Sequence, residues 1–301
     1  MTREERSGLG FAAVEVLAVG LVPAFSKLAV SGLDPLLYGT VCVTVAAAVA
    51  AAMAAWRGEL GLIFSRSVLP RLLPIALLGT TATTVLLMYG ARGTDGVSAA
   101  LLLQSEAVFS LVLTRLVWRR EIPARQIAGT LLLLGGIVLV LSGGSAGSIR
   151  IGAGALCILL VPVGWQLSHL LALRVMPPLT PWSLTAARYI YGGAGLILLQ
   201  LVAGRAPAST LGGRGVSMAL FQGAVLFFCG TLFWYETIRR IDLSRATAIV
   251  TPCEPVMSVA LVWVLLGTLP NGWQWSGLAL MLPGMWLVVV RRSTRGSRAA
   301  A

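Results

Sequence analysis

The sequence predicts an all-α integral membrane protein with ten transmembrane helices, arranged as two inverted five-helix repeats. Three observations lead to this fold class. The 301-residue chain is 57% hydrophobic and only 11% charged, whereas a soluble globular domain is usually about 25% charged. Arginine residues are concentrated in every other connection between apolar runs. Polar and glycine residues of the first half also recur in the second half at a constant spacing.

Ten apolar runs divide the chain, each close to the roughly 20 residues that a helix needs to cross a bilayer. Helix is the expected form because lipid cannot hydrogen-bond exposed backbone groups. Strands of membrane barrels are only about 10 residues long and alternate in polarity. The first run is too long for a signal-peptide core, and we interpret it as a retained helix. The runs lie near residues 8–30, 36–56, 70–90, 96–118, 125–142, 152–173, 181–203, 215–237, 244–266 and 273–290.

The distribution of arginine predicts the orientation of these helices, since cytoplasmic connections of membrane proteins carry an excess of basic residues. With the N-terminus in the cytoplasm, the cytoplasmic segments hold 16 arginines and the outer segments hold 4. This bias predicts that both termini are cytoplasmic. It also supports the count of ten helices, because one missed helix would exchange the sides of all later connections.

The composition argues against several other classes of protein. The pI near 10.9 does not indicate a nucleic-acid partner, because the arginines are spread along the chain without a compact basic domain. Four cysteines without a CxxC pair and a single histidine do not favour a zinc site, and we expect no cofactor. The sequence contains no GxxxxGK[ST] loop, the motif that binds nucleotide phosphates, and so gives no support to an ATP-driven mechanism within this chain. An integral membrane enzyme, or a sensor without transport activity, is the weaker alternative, since no nucleophile with a base supports catalysis.

The second half of the chain repeats features of the first. The polar stretch SGGSAGSIR, residues 142–150, separates five runs from five, so we predict repeats over residues 1–145 and 146–301, the second with a short basic tail. Because each repeat has an odd number of helices, the second must insert upside down relative to the first. Inverted repeats recur in secondary transporters, whose substrate sites lie near the middle of the bilayer. Five residues meet an identical residue 148 positions later: Glu106, Ser110, Gln126, Gly129 and Gly136.

Two of the repeated residues, Glu106 and Glu254, lie near the middle of their runs. A charge at this depth costs at least about 2.5 kcal/mol and usually faces a cavity or a partner. Thr247, Thr251, Glu254 and Ser258 are spaced to form one polar stripe on a helix. We therefore predict a central cavity lined by this stripe and by Glu106, in which Glu254 contacts the substrate or a proton exchanged for it. The alternative is a structural role for at least one of the two glutamates. The prolines beside Glu254 are expected to permit a bend.

Other polar and aromatic residues within the runs are candidates for the same cavity. Glu15 in the first run has no counterpart in the second half, which favours a role with substrate or protons. His169 lies one helical turn beyond Trp165, and both are candidate substrate contacts; a hydrogen-bonded structural histidine is the alternative. Tyr89 and Tyr235 occupy similar places before the fourth and ninth runs, where substrate contact and anchoring at the membrane interface are both open.

The order of these motifs resembles the EamA-type repeat of the drug/metabolite transporter superfamily. The stretch VSAALLLQSEAVFSLVLTRLVWRREIPARQIAGTLLLLGGIVLVL is similar to the end of one repeat. The stretches ATAIVTPCEPVMSVALVWVLLG and WQWSGLALMLPGMWLVV are similar to the end of a second. VPAFSKLAV resembles the end of the first helix, and ARY, residues 187–189, resembles an arginine motif. For Arg188 itself, a structural ion pair is the favoured interpretation.

This resemblance implies ten helices in an inverted five-plus-five arrangement, a central cavity, and export of small metabolites that include amino acids and drugs. We accordingly expect a secondary transporter of the inner (plasma) membrane that works by alternating access, with proton coupling as one option. Its expected partners are a small-molecule substrate and the lipid bilayer, and not nucleic acid.

Overall fold

The structure, a computed structural model, describes residues 3–118, 122–143, 151–176, 179–204, 211–241 and 243–289. Within these residues the chain is helical apart from short connections, and none of them is in a strand, which confirms the prediction of an all-α protein. A four-residue helix, Leu60–Ile63, follows α2. The longer helices are α1 (Arg3–Val30), α2 (Pro35–Trp56), α3 (Leu69–Gly93), α4 (96–118), α5 (Ala124–Ser142), α6 (Ala153–Leu173), α7 (Pro181–Val202), α8 (Gly212–Arg240), α9 (Leu243–Leu266) and α10 (Gly272–Val289).

Seven helices in the described part of the chain, α1 to α6 and α8, are long and apolar enough to cross a membrane. The described apolar part of α9, Val250–Leu266, is shorter. Large apolar side chains such as Leu131, Leu198 and Val264 are exposed by 63%, 61% and 72%, which fits contact with lipid tails rather than with water. A multi-pass membrane protein is thereby confirmed, and the count of ten spanning helices stays a prediction.

Helices α2 and α7 begin in the same way, although they lie in different halves. Each starts with a proline at its first position, and the residue before it caps the helix. The Asp34 carboxylate accepts a hydrogen bond from the Leu37 amide at 2.9 Å. The Thr180 hydroxyl accepts one from the Ser183 amide at 3.3 Å. Such caps satisfy free amides at a helix start, where proline needs no hydrogen bond.

The third helix of each half contains a π-helical segment, Leu77–Ala82 in α3 and Gln222–Phe227 in α8. Such segments widen a helix locally and are frequent at functional sites. A 3-10 turn, Leu103–Ser105, interrupts α4 directly before Glu106. Its counterpart α9 is α-helical throughout despite two internal prolines. The interruption of the α-helix therefore lies in the half that lacks these prolines.

Helices α5 and α10 pack against each other through glycines that the repeat relates. A Cβ placed on Gly129 would lie 2.6 Å from the carbonyl oxygen of Gly284, and one on Gly136 would lie 2.8 Å from that of Gly277. The two helices are therefore antiparallel, with backbones closer than any side chain would permit. Because Gly129 corresponds to Gly277 and Gly136 to Gly284, each contact has an equivalent partner contact.

The two halves are interleaved rather than side by side. Helix α1 packs mainly against α8 and α9 of the second half, and α6 packs against α3 and α4 of the first. Helix α2 packs against its counterpart α7. Exchanging the halves turns the pairings of α1 into those of α6 and maps the pairing of α2 with α7 onto itself. This arrangement brings helices of both halves around one central space.

Candidate functional site

A cavity of about 730 Å³ lies in this central space, within the roughly 300–1,000 Å³ that is usual for small-molecule sites. Residues of α1 and of every helix from α3 to α10 line it, so both halves contribute. Its inner polar and aromatic lining consists of Glu15, Thr80, Thr83, Thr84, Gln104, Glu106, Ser110, Trp165, Gln166, His169, Arg188, Tyr189, Phe227, Thr231, Trp234, Thr251 and Glu254.

Three carboxylates line this cavity, each from a different helix. Glu15 comes from α1, Glu106 from α4 and Glu254 from α9. Glu254 is close enough to both of the others for mutual electrostatic repulsion. Among the described residues, the ion pairs of glutamate involve Glu59 and Glu236 and not these three. The inner part of the cavity therefore has more acidic than basic side chains.

Glu106 is fixed by a neighbouring helix. The Gln166 side-chain amide of α6 donates a hydrogen bond to Glu106 Oε1 at 2.6 Å. The 3-10 turn that precedes Glu106 ends directly at this residue. One oxygen of this carboxylate is thus satisfied by the protein, which agrees in part with the structural alternative considered from the sequence.

Glu15 is held differently. Only 5% of this residue is exposed, and its Oε2 atom is buried without a hydrogen-bond partner. Val19 and Val22, one and two turns further along α1, line the same cavity. Ser26 lies on the same face of α1, but its hydroxyl already accepts a hydrogen bond from the Gln222 side chain at 2.8 Å. Glu15 therefore differs from Glu106: one of its carboxylate oxygens is buried and accepts no hydrogen bond.

Aromatic side chains form part of the cavity wall. Trp165 and His169 of α6 line it together with Trp234 of α8, and the rings of His169 and Trp234 lie 5.9 Å apart. The indole Nε1 of Trp234 is buried without a hydrogen-bond partner. Tyr235 lies behind this wall, fully buried, with its ring 6.3 Å from that of His169.

Arg188 of α7 enters the cavity from the side of the π-helical segment in α3. Its guanidinium donates to the Gly79 carbonyl at 2.5 Å, to the Thr80 hydroxyl at 3.1 Å and to the Tyr235 hydroxyl at 3.4 Å. All three partners are neutral. Among the described residues Arg188 forms no ion pair within salt-bridge distance, and the widened turn of α3 presents oxygen atoms that take the place of a carboxylate.

The structure brings most of the candidate residues together, and leaves some apart. Tyr89 is half-buried on α3 and packs against the hydrophobic core, and Ser258 is buried at 3% exposure one turn beyond Glu254. Neither they nor Tyr235 lines the cavity. Trp234 lines it, and so do Gln166 and Arg188, which were not proposed as contacts. The side chain of Thr247 lies outside the described part of the structure. The predicted residues that line the cavity are Glu15, Glu106, Trp165, His169, Thr251 and Glu254.

The cavity extends toward one end of the helices. Its lining continues through Arg115 to Pro123 and Arg125 at the connection between α4 and α5. At the opposite end, the Gln274 side chain of α10 donates to Asp95 Oδ1 and to Ser98 Oγ, each at 3.0 Å. These bonds join α10 to the start of α4 on the side away from the extension.

Comparison with known proteins places this geometry in context. The model of the EamA-like transporter family matches residues 6–142 and 152–290. The uncharacterized transporter YyaM of Bacillus subtilis (strain 168) is 24% identical over 214 residues, which cover 65% of this chain and 70% of that protein. A crystal structure superposes with a TM-score of 0.69 at 17% identity and covers 94% of this chain and 96% of its own, which shows a shared fold. The family and the relative's name point to a transporter rather than an enzyme.

Proposed function

Since the chain belongs to the EamA-like transporter family, we propose that it is a secondary transporter that exports small amphipathic metabolites, such as amino acids or drug-like molecules, by alternating access. The observation that carries this proposal is the cavity with three carboxylates, Glu15, Glu106 and Glu254, among apolar helices. Ionisable residues inside membrane proteins are costly and typically mark substrate or ion pathways.

The packing of α5 and α10 supports an inverted repeat. A two-fold rotation about an axis in the membrane plane exchanges the contact of Gly129 with Gly284 for that of Gly277 with Gly136 and turns one half upside down. We propose accordingly that ten helices span the inner (plasma) membrane, that the repeats extend over residues 1–145 and 146–301, and that both termini are cytoplasmic. The cavity then opens to the cytoplasm, which is the side from which an exporter takes its substrate.

Glu254 is proposed to contact the substrate, or a proton exchanged for it. The charged and titratable residues that line the cavity together with it are Glu15, Glu106, Arg115, Arg125, His169, Arg188 and Tyr189. A proton or a cationic group relieves the repulsion among the three carboxylates. Coupling requires that such binding differ between the two conformations.

Flux into proteoliposomes that contain the purified protein tests this function. A panel of amino acids and amphipathic amines is offered with and without a pH gradient, beside liposomes that lack protein. We expect protein-dependent flux of at least one compound, and acceleration by the gradient if protons are exchanged. Absence of protein-dependent flux for the whole panel, with folded and inserted protein, would argue against transport.

A further inference from the structure

The unsatisfied oxygen of Glu15 indicates what kind of group the cavity accepts. A buried acceptor without a hydrogen-bond partner costs about 1–3 kcal/mol, and more when it is charged. Glu15 Oε2 is such an acceptor, and it belongs to a residue that lines the cavity. Glu106, by contrast, already accepts a hydrogen bond from Gln166. A ligand that donates a charged hydrogen bond, or places a positive charge beside Glu15, removes this cost.

The charges of the cavity favour a cation over an anion or a zwitterion. Glu15, Glu106 and Glu254 line its inner part with one guanidinium, that of Arg188, whereas Arg115 and Arg125 line the extension at the connection between α4 and α5. Three of the five N–H groups of Arg188 already donate to Gly79, Thr80 and Tyr235, which leaves two for a ligand. Among the described residues, no three side chains of His, Cys, Asp or Glu are arranged to hold a metal ion. The missing charge is therefore better supplied by an organic cation.

The aromatic wall indicates the body of this cation. Trp165, Trp234, Tyr189 and Phe227 line the cavity, and aromatic rings can hold both apolar groups and cations. The indole Nε1 of Trp234 is buried without an acceptor, so a hydroxyl, ether or carbonyl oxygen on the ligand would complete its hydrogen bonding.

We propose that this cavity selects organic monocations that combine an ammonium group, an apolar or aromatic body and an oxygen acceptor, and that Glu15 anchors the ammonium group. This inference rests on the transport function proposed above and names its substrate class. It also gives the two halves unequal roles, because Glu15 has no acidic counterpart in the second half.

Binding of three matched probes to the purified protein tests the inference by titration calorimetry. Phenylalaninol is the cation; phenylalanine is the corresponding zwitterion; in 2-methyl-3-phenylpropanol a methyl group replaces the ammonium group. We expect phenylalaninol to bind at least about tenfold more tightly than either of the others, the effect of one modest charge interaction. Equal or tighter binding of the neutral alcohol or of the zwitterion would overturn the proposal.

Variants then assign the selectivity to one residue. Glu15→Gln should reduce the affinity for phenylalaninol about tenfold and leave that for the neutral alcohol unchanged. Glu15→Asp should retain the preference for the cation. Glu4→Gln is the matched control, because Glu4 is an exposed glutamate at the start of the same helix. If Glu15→Gln binds the cation as tightly as the wild type, Glu15 is not the anchor.

Flux separates this inference from the function on which it rests. Protein-dependent flux of neutral or zwitterionic compounds, without preference for the cation in binding or flux, would overturn the inference and leave the transport function standing. Tight and Glu15-dependent binding of phenylalaninol without flux of any compound would support the inference and argue against transport. If Glu15→Gln cannot be purified, the ranking of the three probes on the wild type and on Glu15→Asp still decides.

Discussion

The contact between α5 and α10 predicts an unequal response to the same substitution at neighbouring glycines. In Gly129→Ala the new methyl group would lie 2.6 Å from the carbonyl oxygen of Gly284, which is backbone and cannot rotate away. In Gly135→Ala it would meet the end of the Leu280 side chain at 3.0 Å, which another rotamer can move. Both variants gain about 1 kcal/mol of helix propensity, so this term cancels between them.

The difference between the two variants is therefore the cost of overpacking, about 1–3 kcal/mol. At about 2–4 °C for each kcal/mol, Gly129→Ala should melt several degrees below Gly135→Ala. Gly277→Ala, the equivalent of Gly129→Ala in the other half, should be destabilised to a similar degree, because its methyl group would lie 2.9 Å from the Gly136 carbonyl oxygen.

Thermal unfolding of the three purified variants in the same detergent measures these differences. Size-exclusion profiles at low temperature control for aggregation. If Gly129→Ala and Gly277→Ala are as stable as Gly135→Ala, the close antiparallel contact of α5 and α10 is not present in the folded protein. A large loss of thermal stability in only one of Gly129→Ala and Gly277→Ala would contradict the equivalence of the two glycine contacts.

Three further outcomes are expected. Glu254→Gln, which keeps the size of the side chain and removes its charge, should lower flux in proteoliposomes and change its pH dependence; a folded variant with wild-type flux at every pH would make Glu254 structural. Arg188→Lys should lose bonds to the π-helical segment, since one ammonium group cannot reproduce the planar guanidinium, and substrate affinity should fall severalfold; unchanged affinity and stability would contradict this. A single cysteine within 144–150, in a variant without native cysteines, should react with impermeant reagents only from outside the cell; labelling only from the cytoplasm would refute the inverted topology.

The helices were predictable because the hydrophobic length of a span is a local property of sequence. The presence of Glu15, Glu106 and Glu254 in one cavity was predictable for a related reason, since a carboxylate in a lipid-facing position is too costly. These arguments need only depth and helical spacing. They do not need the packing of one helix against another.

Other features of the site depend on packing and were missed or misplaced. Trp234 and Tyr235 are adjacent on α8, and neighbouring residues on a helix point about 100° apart, so only one of them lines the cavity. Ser258 shares a face with Glu254 but lies about 6 Å further along the axis, where the cavity has ended. The partners of Arg188 depend on a π-helical segment that hydrophobic periodicity does not reveal.

The interleaving of the halves has a consequence for the biogenesis of this protein. Helix α1 ends at Val30, and α9, one of its main packing partners, begins at Leu243. At a synthesis rate of about 5–20 residues per second, the ribosome needs roughly 10–40 s to make the intervening chain. During that interval Glu15 resides in a newly inserted helix without the neighbours that will enclose it. Truncation of the chain at its midpoint should therefore leave a first half that inserts but does not reach a stable tertiary structure, and this half should be a substrate for membrane quality-control proteases.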